Sequence, residues 1–176
     1  VHAAACVAPN GTLLTCQRKL AIPPGFERDY FSPGAGCELF SYCGVRFATL
    51  ICYDAEFPET ARFAAANGAQ VLLVPTALGA SWGWVARQMI PTRAYENGVY
   101  LAYANHAGEQ NGLAFLGESV IAGPDGIEDT RATDEPGVIS TKIDLTRVTA
   151  AQARLLYLQD RLNLRLSQDA DQSMPS

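Results

Sequence analysis

Histidine is scarce in this sequence: two residues, His2 and His106, in 176. The five cysteines, Cys6, Cys16, Cys37, Cys43 and Cys52, include no Cys-x-x-Cys pair. A structural or catalytic zinc needs several closely spaced Cys or His ligands, so metal chemistry has little to build on and no cofactor is expected. An odd cysteine count argues against a disulfide framework and for free thiols in a reducing compartment, so a cytoplasmic location is expected. There is no run of lysine or arginine and the net charge is −5. Neither nucleic acid nor an anionic membrane surface is therefore an expected partner. No apolar stretch is long enough to span a bilayer, and no segment has the charged, apolar and small-residue order of a signal peptide. The sequence opens at Val1, without methionine and already inside an apolar run, as the middle of a longer protein would.

What is present is ordinary globular material, 48% apolar and 18% charged, at a length that allows one domain with a sizeable core. Residues 2–8 and 12–19 flank Pro9-Asn10-Gly11, a strong turn signal, and read as a hairpin. In an extended strand Leu13, Thr15, Gln17 and Lys19 share one face. Residues 20–44 are rich in proline, glycine and aromatics and read as a long ordered loop. The nearly continuous apolar run VRFATLIC, residues 45–52, predicts a strand covered on both faces. Residues 58–67 start on proline and stop at Gly68, which predicts a helix. A buried strand at 70–76, a helix over about 82–96 and a strand at 99–105 follow. Residues 114–122 and 137–144 are read as further strands around a Pro124-Asp125-Gly126 turn, 146–161 as a last helix, and 167–176 as a frayed polar tail. The strand–helix alternation from 45 to 105 argues an α/β layer architecture with hairpins at both ends.

The stretch LICYDAEFPE, residues 50–59, sets Cys52 where the apolar run stops. Free cysteines are commonly buried and inert. A strand-to-helix turn, however, lifts a side chain out of the sheet and turns backbone N–H groups toward it, as in nucleophile turns. Thiol attack on an amide also needs a base, a donor for the developing oxyanion and an acid for the leaving nitrogen. Lys19 at the end of its strand and Glu27 eight residues later supply a cation and a carboxylate. Taken singly, each reads as a solvated side chain.

Taken together, five ordered blocks resemble the nitrilase, or carbon–nitrogen hydrolase, superfamily. RKLAIPPGFERDYFSPG is similar to its lysine segment and LICYDAEFPE to its nucleophile segment. TRAYENGVYLAYAN resembles its R-A-x-E-N block, GESVIAGPDG its G-x-S-x-x-x-x-P-x-G block, and LLYLQDR the common C-terminal helix. The resemblance implies a four-layer α-β-β-α sandwich, incomplete here at the N-terminus, with residues 1–166 forming the C-terminal two-thirds of one hydrolase domain. It implies that Cys52 attacks a carbonyl or nitrile carbon to give a thioester. Protonated Lys19, with the Tyr53 N–H, would hold the oxyanion, and Glu27 would orient Lys19. The family's general-base glutamate lies well upstream of the lysine, and nothing from Val1 to Lys19 is acidic. Without that upstream part, sheet edges and core faces are expected to be uncovered.

The same resemblance makes Arg93 and Glu96, three residues apart and able to pair, supports of the nucleophile layer. Asn105 and Ser119 become site-flanking hydrogen-bonders. Trp82 or Trp84 would line the acyl pocket, with core packing an equal alternative. Branches that bind acidic substrates commonly carry arginine three or four residues after the cysteine; Ala55 and Glu56 stand there. Glu56 would repel an acidic substrate, so a small neutral or amine-bearing amide is the expected one, and Tyr53-Asp54 in place of W-E favours amidase over nitrilase. A homodimer or larger homo-oligomer is implied. Two rival readings remain: a catalytically silent binding or assembly module of the same fold, and a Cys–His hydrolase using His106.

Overall fold

A computed structural model describes residues 1–165, so the expected tail at 167–176 lies outside the described residues. Strands β1 (Ala3–Val7) and β2 (Leu13–Arg18) form the expected antiparallel hairpin, a two-stranded sheet by itself. Thr15, Gln17 and Lys19 point from one face into the interior, while Leu13 on the same face is exposed. Val7 and Leu13 leave the hairpin tip apolar and open.

The segment read as a loop from 20 to 44 holds two short elements, helix α1 (Glu27–Tyr30) and strand β3 (Leu39–Tyr42). Strand β3 pairs antiparallel with β4 (Val45–Thr49) across the tight Cys43-Gly44 turn. The strands β4, β5 (Val71–Thr76) and β6 (Tyr100–Asn105) run parallel at the centre of a six-stranded sheet. Helix α2 (Pro58–Ala66) connects the first two and α3 (Ile90–Asn97) leads into the third. Side-chain alternation explains why both faces are apolar. Leu72, Val74, Leu101 and Tyr103 pack with Ala61, Ala64 and Ala65 of α2 and Ile90 and Ala94 of α3. Val71 and Tyr100 point the other way, onto Val148 of α4 (Leu145–Arg154).

The helix expected over about 82–96 is interrupted. A 3-10 turn at Ala80–Trp82 and a π-helical turn at Val85–Met89 precede α3. Pro91 is the physical reason: it has no N–H to give to the carbonyl four residues back, and its ring crowds that turn. Helix α3 then ends on Gly98 at φ +59, the left-handed stop that a glycine there predicts. The last helix also divides, into α4 and the single turn α5 (Tyr157–Asp160).

The strand expected at 114–122 breaks into β8 (Leu113–Leu116) and β9 (Val120–Ala122). Gly117 at φ +67 and Glu118 at φ +52 make the break. A Cβ on Gly117 would sit 2.6 Å from the Asp134 Cα, so no other residue fits without movement. Strand β8 pairs with β7 (Ala107–Gln110) across Asn111-Gly112, both at positive φ. That Asn-Gly pair is itself a strong hairpin signal. No strand forms at 137–144. The partner of β9 is instead β10 (Glu128–Arg131), the end of the six-stranded sheet. Val138 is 96% exposed, and the stretch packs through Ile143 onto Val71 and Tyr100 without pairing to any strand. Arg131 anchors β10 by pairing with Glu128 and Glu118 and by donating to the Ala86 carbonyl. Among the described residues, no helix is long and apolar enough to cross a membrane.

Arg147 of α4 ties the turn after β9 to β10. Its guanidinium donates to both Asp125 oxygens and to Asp129. That bonding holds the Asp125 carboxyl below the usual carboxylate range. A carboxylate depressed by folding adds stability above its unfolded pKa of about 3.9, lost as pH falls through the lower folded value. Urea midpoints measured from pH 6 downward should therefore fall less steeply below about pH 4 in Arg147→Leu than in the unsubstituted chain. Parallel pH profiles would show that the cluster carries no linkage.

Candidate active site

Strand β4 runs through Leu50 and Ile51 into a 3-10 turn, Cys52–Glu56, and α2 follows at once. Cys52 opens the turn at φ +50. A residue with a Cβ in this left-handed region carries about 1–2 kcal/mol of strain. The turn therefore holds the thiol in an orientation the chain would not choose for packing alone.

Lys19 follows β2, and its amide donates to the His2 carbonyl at 2.9 Å, continuing the hairpin. Its side chain is 1% exposed and its Nζ donates to Glu27 Oε2 at 2.7 Å. A buried ammonium is costly unless paired, and α1 brings that pair, since Glu27 is its first residue. His2 Nδ1 lies 3.3 Å from the same Glu27 oxygen, with its ring 5.3 Å from that of Phe31. His2, Lys19, Glu27, Cys52 and Thr76 line one cavity of about 230 Å³. The Thr76 hydroxyl is 3.3 Å from that of Tyr103, whose phenol burial pushes upward.

Asp54, two residues after the cysteine, was not singled out from the sequence as a site residue. It is fully buried. Its carboxylate accepts from the amides of Leu20, Ala21 and Ile51. Burial pushes its carboxyl above the usual range, against the opposing pull of those three amides and of the Lys19 charge. The available signal was an acidic residue inside an otherwise apolar strand-end run, which has to be hydrogen-bonded if buried.

The other residues expected at the site are distributed around it. The Tyr53 ring meets Phe57 edge-on at 4.9 Å. Arg93 pairs with Glu96 at 2.9 Å and donates to the Glu56 carbonyl at 2.8 Å, fastening α3 to the end of the nucleophile turn. The Glu56 carboxylate is half-buried and makes no ion pair among the described residues. Burial pushes its carboxyl upward and the Lys19 charge pulls it down. It is not among the residues lining the Cys52 cavity. Asn105 accepts from the Leu78 amide at 2.8 Å and donates to the Gly117 carbonyl at 2.7 Å. Ser119 accepts from the Asn105 amide at 2.9 Å. Trp82 is 62% exposed and Trp84 is exposed as well; neither lines the Cys52 cavity. His106 stacks edge-on with Phe115 at 4.6 Å and lines a different, larger cavity of about 360 Å³ with Asn105, Ser119 and Glu135. That cavity contains no thiol and no buried cation, so chemistry rather than size favours the Cys52 cavity as the candidate site.

The family model for carbon–nitrogen hydrolase matches residues 2–153. A hydrolase in the pqqF 5'region of Pseudomonas protegens is 35% identical over 161 residues, covering 91% of this chain and 56% of that protein. An (R)-stereoselective amidase from Pseudomonas sp. is 36% identical, covering 88% of this chain and 56% of that protein. Among solved structures, a mutant amidase from Nesterenkonia sp. AN1 superposes with a TM-score of 0.81 at 39% identity, covering 90% of this chain and 58% of the other. That structure shows covalent addition of the acetamide moiety of fluoroacetamide at its active-site cysteine. The chain thus spans somewhat over half the length of the relatives it matches, and its mixed α/β fold is that of nitrilase-superfamily amidases.

Proposed function

The chain belongs to the carbon–nitrogen hydrolase family, and from that premise we propose that it serves to hydrolyse the carbon–nitrogen bond of a small neutral or amine-bearing amide to acid and ammonia. The observation that carries this reading is the shared cavity: a thiol in strained left-handed backbone faces the same space as a buried, carboxylate-paired ammonium.

In this mechanism the Cys52 sulfur attacks the amide carbon. The carbonyl π pair moves to oxygen, where the Lys19 ammonium and the Tyr53 N–H hold it. The carbon–nitrogen bond then breaks, nitrogen leaves with a proton as ammonia, and a thioester remains. Water attacks the thioester, releasing the acid and restoring the thiol. Glu27 is engaged by Lys19 and His2, which suits it to orienting the lysine. The base is assigned by family resemblance to a glutamate upstream of Lys19, and residues 1–18 contain no carboxylate.

Glu56 supports the charge preference. Its carboxylate is half desolvated, feels the Lys19 charge, and makes no ion pair among the described residues. A second negative charge brought nearby would be repelled. Homo-oligomerisation is likewise proposed. Exposed Phe63, Tyr95, Tyr157 and Leu162 come from α2, α3, α5 and the turn after it, elements that pack on one another. Such a patch fits an interface.

Ammonia release from butyramide, an aminoalkyl amide and a dicarboxylic acid monoamide tests the reading. The first two should be turned over and the monoamide should not; Glu56→Arg should reverse the order, and Cys52→Ala should abolish release from all three. Turnover that survives Cys52→Ala would sink the nucleophile assignment. An unchanged order in Glu56→Arg would remove Glu56 from substrate selection. Labelling of Cys52 without turnover would favour a silent module.

A further inference from the structure

We propose that Asp54 is a positioning residue whose carboxylate sets the separation between Cys52 and Lys19, an inference that rests on the roles proposed above for those two residues. Lys19 follows a strand of the two-stranded sheet and Cys52 follows a strand of the six-stranded sheet. No backbone ladder joins these sheets. Something else must hold an oxyanion donor and a nucleophile at reacting distance.

Asp54 joins both sides. Its Oδ1 accepts from Leu20 N at 3.0 Å and Ala21 N at 2.7 Å, the two amides directly after Lys19. Its Oδ2 accepts from Ile51 N at 3.0 Å, the amide directly before Cys52, and from Leu20 N at 3.1 Å. One planar group thus grips the backbone beside each reacting side chain. Leu20 and Ala21 belong to no strand or helix, so their half-buried amides have no ladder partner and Asp54 supplies the acceptor.

The chemistry requires a carboxylate. Ionised, it offers acceptors on both oxygens, whereas an amide of equal size presents N–H groups on one side. Asp54→Asn would keep the shape and turn donors toward either the Ile51 amide or the Ala21 amide, releasing one arm. Charge-assisted bonds of this kind are about twice as strong as neutral ones. Keeping the group ionised opposes burial, which pushes its carboxyl upward. A carboxyl raised by folding is destabilising in its charged form at neutral pH, which suits a group retained for geometry rather than for stability.

Two thiol reagents separate positioning from folding. 2-Fluoroacetamide forms a sulfur–carbon bond as carbon–fluorine breaks and fluoride leaves, the thiol proton passing to solvent; its carbonyl can be held by Lys19. Methyl methanethiosulfonate transfers a methylthio group as methanesulfinate leaves, with no carbonyl to hold. Labelling is read at each cysteine by peptide mass, with exposed Cys16 and Cys43 as internal references. The unsubstituted chain should take fluoroacetamide at Cys52 in preference to both references. In Asp54→Asn the fluoroacetamide rate at Cys52 should fall by about 100-fold, the scale of a 1 Å misplacement, while thiosulfonate labelling stays near its original rate. A folded variant in which both reagents slow alike, or neither slows, overturns the role of Asp54 alone. Absence of any preference for Cys52 in the unsubstituted chain overturns the roles of Cys52 and Lys19, and this proposal with them. If Asp54→Asn does not fold, hydrogen exchange in the unsubstituted chain decides. The Leu20, Ala21 and Ile51 amides should be protected together, and rapid exchange of Leu20 and Ala21 beside a protected Ile51 overturns the clamp.

Discussion

Replacing Cys52 with glycine should abolish amide hydrolysis and yield a protein at least as stable as Cys52→Ala. At most positions glycine is the less stable of the two by about 0.5–1 kcal/mol, because the unfolded chain has more freedom to lose. At φ +50 the order reverses. A Cβ there carries about 1–2 kcal/mol of strain that glycine does not. The two terms leave glycine level with alanine or ahead by up to about 1.5 kcal/mol. Denaturant midpoints of the two variants measure the difference, and ammonia release measures the loss of activity. If alanine proves clearly more stable than glycine, the turn is unstrained and Cys52 has no imposed orientation. The physical content is that the turn holds its cysteine against local preference. Such strain is characteristic of functional turns and persists only where the surroundings over-determine it. Here those surroundings include Ile51, gripped by Asp54, and α2 starting on Pro58.

Lys19→Met should lower turnover by about 10² to 10³-fold, the effect of removing one oxyanion donor, and should also destabilise the fold. The lysine is 1% exposed and Glu27 keeps 20% of its side-chain surface. Deleting one partner of a buried pair leaves the other charge uncompensated, which costs about 3–5 kcal/mol. The lower end applies because Glu27 retains some water. The double variant Lys19→Met, Glu27→Gln should regain much of that stability, since no lone charge remains, and regain none of the activity. The paired outcome separates the two jobs of the lysine. Activity returning with stability would mean that Lys19 only supports the fold. Stability unchanged in the single variant would mean that Glu27 relaxes into solvent and the pair is not structural.

The parts of this protein legible in the sequence are those governed by neighbours along the chain. Pro9-Asn10-Gly11 makes its hairpin, Pro58 and Gly68 bound their helix, and the apolar runs at 45–52, 70–76 and 99–105 become the parallel centre of the sheet. Arg93 and Glu96 pair at the three-residue spacing that helical geometry imposes. The misreadings have local causes as well. Pro91 breaks the long helix into a π-helical turn and α3, and the Gly117-Glu118 break needs positive φ, which no apolar pattern encodes. Strand β10 was invisible because EDTR is polar. Its partners outside the strand are tertiary: Arg131 meets Glu118 beyond the strand break and the Ala86 carbonyl 45 residues back.

The candidate site divides in the same way. The order of blocks around Lys19, Glu27, Cys52, Arg93 and Ser119 carries the family resemblance, because residue types and their order are properties of the chain itself. Which of them share a cavity is a tertiary matter. Packing brought Lys19, Glu27 and Cys52 together with His2, left Trp82 in solvent and His106 in a separate cavity, and set Asp54 beneath the first group. The sequence by itself determined a thiol on a strand-to-helix turn and a lysine at a strand end. Only the tertiary structure decided that one buried carboxylate holds both, because hydrogen bonds between residues more than thirty apart are made when the two sheets meet and not before.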